Sequence, residues 1–139
     1  MVTIFYTLDE GAKAPYKAHK ADAGWDIHAL DGGFAAQNGT VYRTGLHVRI
    51  PDGYYIEVAN RSGLNIRHGV TLHGSGTVDA GYTGEILVRL YADEGLYRVL
   101  RGDRIAQLIL HPFEDIEWVR VNSLEDTDRG DNGFGSSGR

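Results

Sequence analysis

One stretch of the chain, NRSGLNIRHGVTLHGSGTVDAGYTGEI (Asn60–Ile86), sets Arg61, Ser62, Asp79, Tyr82 and Glu85 among closely spaced glycines. An arginine and a hydroxyl beside glycines suit an anion, because glycine lets backbone N–H groups approach a ligand closely. A phosphate-bearing ligand is therefore the chemistry to look for. The segment Ser62–Gly69 reads as one or two helical turns with Ser62 as N-cap and Gly69 as the stop, aiming free N–H groups and Arg61 at one spot. Thr77-Val78-Asp79 reads as strand and Asp79-Ala80-Gly81-Tyr82 as a tight turn with Gly81 at a position of positive φ. Asp79 and Tyr82 then flank a hairpin tip, Asp79 as a reactive carboxylate or simply as a turn-former.

Three more residues stand out against their surroundings. In AGWDIHA (23–29) the alternation puts Trp25, Ile27 and Ala29 on one strand face and Asp26 on the other, as a solvated carboxylate or a ligand. Gln107 shares a face with Ile105 and Ile109, and an amide there needs a partner, since burying it unpaired costs roughly 1–3 kcal/mol. That partner is a structural hydrogen bond or a ligand. Phe134 sits alone among glycines, serines and arginines in the tail 129–139, which is either a plain flexible end or a lid whose ring stacks on a base while Arg and Ser groups meet phosphate.

Short strands must position these groups. Val2–Leu8, 23–29, Thr40–Thr44, Leu46–Ile50, Tyr54–Ala59, Glu85–Tyr91 (with Ile86, Val88 and Leu90 inward), Leu96–Leu100, Ile105–Leu110 and Glu114–Val121 all have strand character, separated by turn signals at Gly45, 51–53, 93–95 and 101–104. Asp9–Asp22 reads as a loop, and only 62–68 shows a helical period. The pattern predicts an all-β sandwich or barrel.

At 139 residues, 42% hydrophobic and 24% charged, the chain fits one domain with enough apolar material for a core. No apolar run approaches the roughly 18 residues needed to span a membrane, and the first residues lack the basic start of a signal peptide, so a cytoplasmic protein is expected. The absence of cysteine excludes disulfides and thiolate metal sites. A net charge of −5 argues against stable nucleic-acid binding, which rests on neutralising many phosphates. A small polyanion could still bind through local arginines and a divalent cation.

In order, AGWDIHA (23–29), NRSGLNIRHGV (60–70), GTVDAGYTGEI (76–86), RGDRIAQLI (101–109) and RGDNGFGSSG (129–138) resemble the five motifs of the trimeric dUTP pyrophosphatase (dUTPase) family. Each alone is a weak pattern, but five in order over nearly the whole chain make a specific match. The resemblance implies a jelly-roll-like β-barrel over 1–128 with a glycine-rich lid over 129–139. It also implies a homotrimer whose sites lie between subunits, each tail closing over a neighbour's site. The implied reaction is Mg²⁺-dependent hydrolysis of dUTP to dUMP and pyrophosphate, which limits uracil incorporation into DNA and supplies dUMP for dTMP synthesis.

By the same resemblance Asp79 would deprotonate the attacking water and hold the sugar 3′-hydroxyl. Tyr82 would pack against the deoxyribose, and the hairpin backbone around Val78 would read uracil. Arg61, Ser62, Gly63 and Gln107 would bind phosphates, and Asp26 would hold the metal through water. Phe134 would stack on uracil beside Gly135, with Arg129, Ser136 and Ser137 on the terminal phosphates and Arg139 adding a cation.

Two positions depart from the family pattern: Asn60 stands where proline is usual, with little effect expected, and His73 where several members carry a uracil-binding asparagine. Neutral imidazole offers one donor and one acceptor, so His73 either substitutes or changes base selectivity. Three rival readings remain. A dCTP deaminase shares VDAGYTG but needs a glutamate where this chain has Arg89. A catalytically silent regulator would be expected to lack a site residue, and none is missing. A zinc site on His68 and His73 lacks further ligands.

Overall fold

The computed structural model describes residues 1–72 and 76–138. The expectations for His73 and Arg139 lie outside the described residues. Ten strands and one helix follow in order: β1 (Phe5–Leu8), β2 (Trp25–His28), β3 (Gly33–Ala35), β4 (Thr40–Arg49), β5 (Tyr54–Ala59), α1 (Ser62–His68), β6 (Val70–Leu72), β7 (Gly76–Val78), β8 (Glu85–Ala92), β9 (Tyr97–Val99) and β10 (Arg104–Pro112).

The strands form two four-stranded sheets, ordered β1-β4-β8-β6 and β2-β10-β5-β7, with β3 and β9 as a separate pair. Every strand pair is antiparallel. The chain repeatedly steps from one sheet to the other, as from β4 to β5 and from β7 to β8, which is the connectivity of a jelly roll.

Alternation within each strand builds the core. In β8, Ile86, Val88, Leu90 and Ala92 are all buried, while Leu87 and Arg89 between them face outward. They meet Ile56 and Val58 of β5, Ile27 of β2 and Leu108 of β10 in a single apolar cluster. Burying a side chain of this size is worth about 1.5–3 kcal/mol, so the two sheets hold each other chiefly through these residues.

Four local expectations are corrected. First, Gly45 does not end a strand: β4 runs through it with a register shift between Arg43 and His47, Gly45 taking a φ of 65° that the bulge requires. Second, β10 also carries a bulge, between Arg104 and Ala106, which rotates Gln107 away from the buried side chains of Ile105, Ala106 and Leu108. Third, the first strand begins only at Phe5. Fourth, Glu114–Val121 forms no strand: it is exposed throughout, including Ile116, Trp118, Val119 and Val121. Its β-branched and aromatic residues need a second strand to pair with, and none among the described residues supplies one.

Candidate functional site

Asp26 stands on β2 between two arginines from elsewhere in the sequence. Arg61 Nε donates to its Oδ1 at 3.0 Å and Arg104 Nη1 to its Oδ2 at 3.2 Å. Arg61 Nη1 also donates to the carbonyl of Arg104 at 3.2 Å. The Asp26 side chain is 16% exposed and that of Arg61 23%, so the pair is little screened by water. Two guanidiniums against one carboxylate leave a net positive charge, and their unused N–H groups suit a phosphate. Arg104 was read from sequence only as part of a turn; its spacing two residues after Gly102 gives no hint that β10 delivers it to Asp26.

Gln107, directly opposite Asp26 in the β2–β10 register, donates from Nε2 to the carbonyl of Asn60 at 2.7 Å. Its amide is thus partly satisfied within the chain. Gly24 is buried beside it, and a Cβ there would overlap Gln107 Oε1, so a side chain at this position would displace the amide. A cavity of about 200 Å³ adjoins the cluster, lined by Arg61, Leu64, Tyr97, Asp103, Arg104 and others.

The helix after Arg61 starts one residue earlier than its sequence reads. Arg61 is the N-cap with extended backbone and no side-chain cap bond, while Ser62 is the first helical residue and is exposed with Gly63 beside it. Gly69 does end the helix, at φ 61°, its N–H bonding back to the carbonyls of Leu64 and Asn65. Asn60, expected to matter little, is tied in three ways: besides receiving Gln107, its Oδ1 accepts from Thr71 Oγ1 at 3.0 Å and from Leu72 N–H at 2.7 Å.

His28 follows Asp26 on the same face, and its Nδ1 is buried without a partner among the described residues. Burial pushes the imidazole below its usual value, with Lys13 adding to the effect.

Asp79 and Tyr82 lie elsewhere. The Tyr82 N–H donates to the Asp79 carbonyl at 3.0 Å, closing the turn, but Gly81 takes no positive φ. The Tyr82 hydroxyl donates to the carbonyl of Glu85 at 2.8 Å, and both Asp79 and Tyr82 are exposed. Glu85 holds the end of this hairpin by accepting the Gly45 N–H at 2.8 Å and Arg43 Nε at 3.1 Å on each oxygen. The pairing Ile56↔Val78 and Val58↔Gly76 puts Asp79 beside the start of β5, whereas Arg61 follows its end. At about 3.3 Å per strand residue the two are roughly 15 Å or more apart within one chain.

In the tail, Arg129 Nε donates to the carbonyl of Asn132 at 2.9 Å, and Ser136 N–H to that of Gly133 at 3.0 Å. Phe134, Gly135, Ser136 and Ser137 are exposed, and the tail touches neither the Asp26 cluster nor the Asp79 hairpin through any hydrogen bond among the described residues.

A divalent cation is the one group the sequence resemblance adds to this chemistry. No group of three His, Cys, Asp or Glu side chains converges among the described residues. Asp26, already held by two arginines, keeps lone pairs for a metal-bound water. This donor set fits Mg²⁺ carried by substrate phosphates, which needs few protein carboxylates.

Residues 10–138 match the family model for dUTPase. The chain is 44% identical over 135 residues to the deoxyuridine 5'-triphosphate nucleotidohydrolase of Thermobifida fusca, covering 94% of this chain and 75% of that one. It is 46% identical over 141 residues to that of Mycobacterium leprae, covering 94% and 91%. The solved structure of Staphylococcus bacteriophage 80alpha dUTPase with dUPNHPP matches with a TM-score of 0.89 at 30% identity, covering 99% of both chains. A mutant dUTPase from phage phi11 of S. aureus, whose structure concerns the coordination of a structural Mg(II) ion, matches with a TM-score of 0.80 at 27% identity over 89% of this chain and 99% of that one. With its family model matched from the tenth residue almost to the end, the chain belongs to the dUTPase family.

Proposed function

We propose that the protein hydrolyses dUTP to dUMP and pyrophosphate, and so limits uracil incorporation into DNA while supplying dUMP for dTMP synthesis. The observation that carries this reading is the cluster of Asp26, Arg61, Arg104 and Gln107, gathered from two strands and a strand-helix corner beside the exposed Ser62 and Gly63. It offers cationic and N–H donors to a triphosphate. Bound Mg²⁺ would neutralise phosphate charge, and Asp26 would hold it through water.

The hairpin supplies the other half. Asp79 takes the proton of the attacking water as the bond between the α- and β-phosphates breaks and pyrophosphate leaves; a positioned base of this kind contributes typically 10²–10⁴-fold. Tyr82 packs against the deoxyribose and excludes a 2′-hydroxyl, and the backbone around Val78 reads the uracil edge together with His73.

The working unit in this reading is a homotrimer, in which Asp79 of one chain meets Arg61 of another. The separation of these residues in one chain supports that arrangement. So do the exposed apolar side chains of 114–121 and an apolar cavity of about 350 Å³ lined by Ile4, Tyr6, Trp25, Val48, Leu108 and others, which offer surfaces for a second copy. Residues 129–139 act as a lid, with Phe134 on uracil and Arg129, Ser136 and Ser137 on the terminal phosphates. No helix among the described residues is long and apolar enough to cross a membrane.

Incubation of the purified protein and Mg²⁺ with dUTP, dCTP, dTTP and UTP separately, with product identification, tests the reading. Release of dUMP and pyrophosphate from dUTP alone is expected. dUTP formed from dCTP would restore the deaminase, and no turnover would favour a silent nucleotide-binding regulator.

A further inference from the structure

The helix that carries Ser62 and Gly63 has little of its own to hold it in place. It spans only Ser62–His68, buries no residue fully and has no side-chain cap at its start. A helix so short is far below the roughly 12–15 residues at which isolated helices become even marginally stable, so its position is set from outside. At its end the Asp93 N–H donates to the carbonyl of Gly69 at 3.0 Å. At its start Arg61 is bonded to Asp26 and the Arg104 carbonyl, and Asn60 just before it supplies a further tie.

We infer that Asn60 is a positioning residue for the phosphate-binding corner Arg61–Gly63. Its carbonyl receives Gln107 Nε2 from β10, and its side-chain Oδ1 receives both Thr71 Oγ1 and the Leu72 N–H from β6. The Leu72 N–H can only donate, which fixes the amide with oxygen toward β6. β6 is itself held by β8 through the pairs Val70↔Ala92 and Leu72↔Leu90, whose buried members Val70, Leu90 and Ala92 belong to the core. Asn60 therefore ties this corner to β6 of one sheet through its side chain while its carbonyl engages β10 of the other, a connection separate from the bonds of Arg61 to Asp26 and the Arg104 carbonyl. A proline in its place has no Oδ1 and cannot make the β6 half of this connection.

The consequence falls on phosphate recognition, because the Asn60 bonds run to Gln107, Thr71 and Leu72 and to neither Asp79 nor Tyr82. The inference rests on the dUTP reading for its kinetic arm, and pyrophosphate binding measured by calorimetry gives an arm independent of turnover. Asn60→Ala is expected to raise KM for dUTP and weaken pyrophosphate binding by about tenfold each, roughly the loss of one or two net hydrogen bonds. Inhibition by deoxyuridine, which lacks phosphates, should change by less than about twofold, and kcat less than KM. Thr71→Val should act in the same direction but more weakly, and adding it to Asn60→Ala should cost little more, because both remove the same bond.

Pyrophosphate binding unchanged in Asn60→Ala overturns the inference. So does a parallel loss of pyrophosphate and deoxyuridine binding with a lowered melting temperature, which marks general loosening, and so do fully additive losses with Thr71→Val. Failure of the wild type to turn over dUTP would instead sink the functional reading, and the calorimetric comparison would still judge Asn60.

Discussion

Arg61 and Asp79 lie at opposite ends of β5, Arg61 following its last residue and Asp79 following the partner strand at the point where β5 begins. Neither can serve the other within one chain, so two defects on different chains should be able to cover for each other. Arg61→Ala and Asp79→Asn are each expected to lose at least about a hundredfold in kcat. Mixed by denaturation and refolding in equal amounts, they should recover about a quarter of wild-type activity, since three-quarters of random trimers are mixed and each restores one site in three. Mixtures no better than their parents would rule out sites shared in this way.

Glu85 is the hairpin's anchor, and its removal reads out in stability. Its carboxylate is 19% exposed, takes both an Arg43 contact and the Gly45 N–H, and raises the Arg43 guanidinium further above its usual value, first through their hydrogen bond. Glu85→Ala leaves the Gly45 donor at the β4 bulge without its partner, at a cost of about 2 kcal/mol, or roughly 8 °C in melting temperature. Glu85→Gln keeps an acceptor for Gly45 and should lose about half as much. Equal melting temperatures for all three proteins would show that the bulge does not depend on this contact.

Strand periodicity made β5, β8 and most of β10 legible, because buried residues alternate with less buried ones along much of each strand. Bulges were not legible. The extra residue in β10 shifts which side chains share a face, so Gln107 left the apolar face that simple alternation assigned to it. Glu114–Val121 has strand composition without a strand partner among the described residues, a property that pairing decides and sequence pattern does not. At the site, the motif residues Asp26, Arg61 and Gln107 do converge, but Arg104 and Asn60 enter through tertiary hydrogen bonds that no local spacing announces.

Loss of the tail should separate folding from catalysis. Residues 113–138 are all exposed, and the hydrogen bonds of the last ten described residues reach no further back than Thr127. Truncation before Arg129 should therefore move the melting temperature by no more than about 2 °C. Activity should fall at least about tenfold, and Phe134→Ala should reproduce part of that loss through weaker stacking. Full activity in the truncated protein would refute the lid.

His28 gives the fold a dependence on acid that can be assigned to one side chain. Burial, seconded by Lys13, lowers its pKa in the folded protein, while the unfolded chain keeps the ordinary value near 6.5. Below about pH 6.5 the unfolded state takes up a proton that the native imidazole still refuses, so protonation favours unfolding. The contribution of neutral His28 is fully present above that pH and is lost as pH falls from about 6.5 toward the lowered native value. Its buried Nδ1, with no acceptor among the described residues, gives the imidazolium nothing to donate to on that side. The wild type should lose more melting temperature between pH 7.5 and 5.5 than His28→Gln, which cannot titrate. Because the remaining histidines are common to both proteins, the difference isolates His28, and parallel pH profiles would exclude it as the acid-sensitive group.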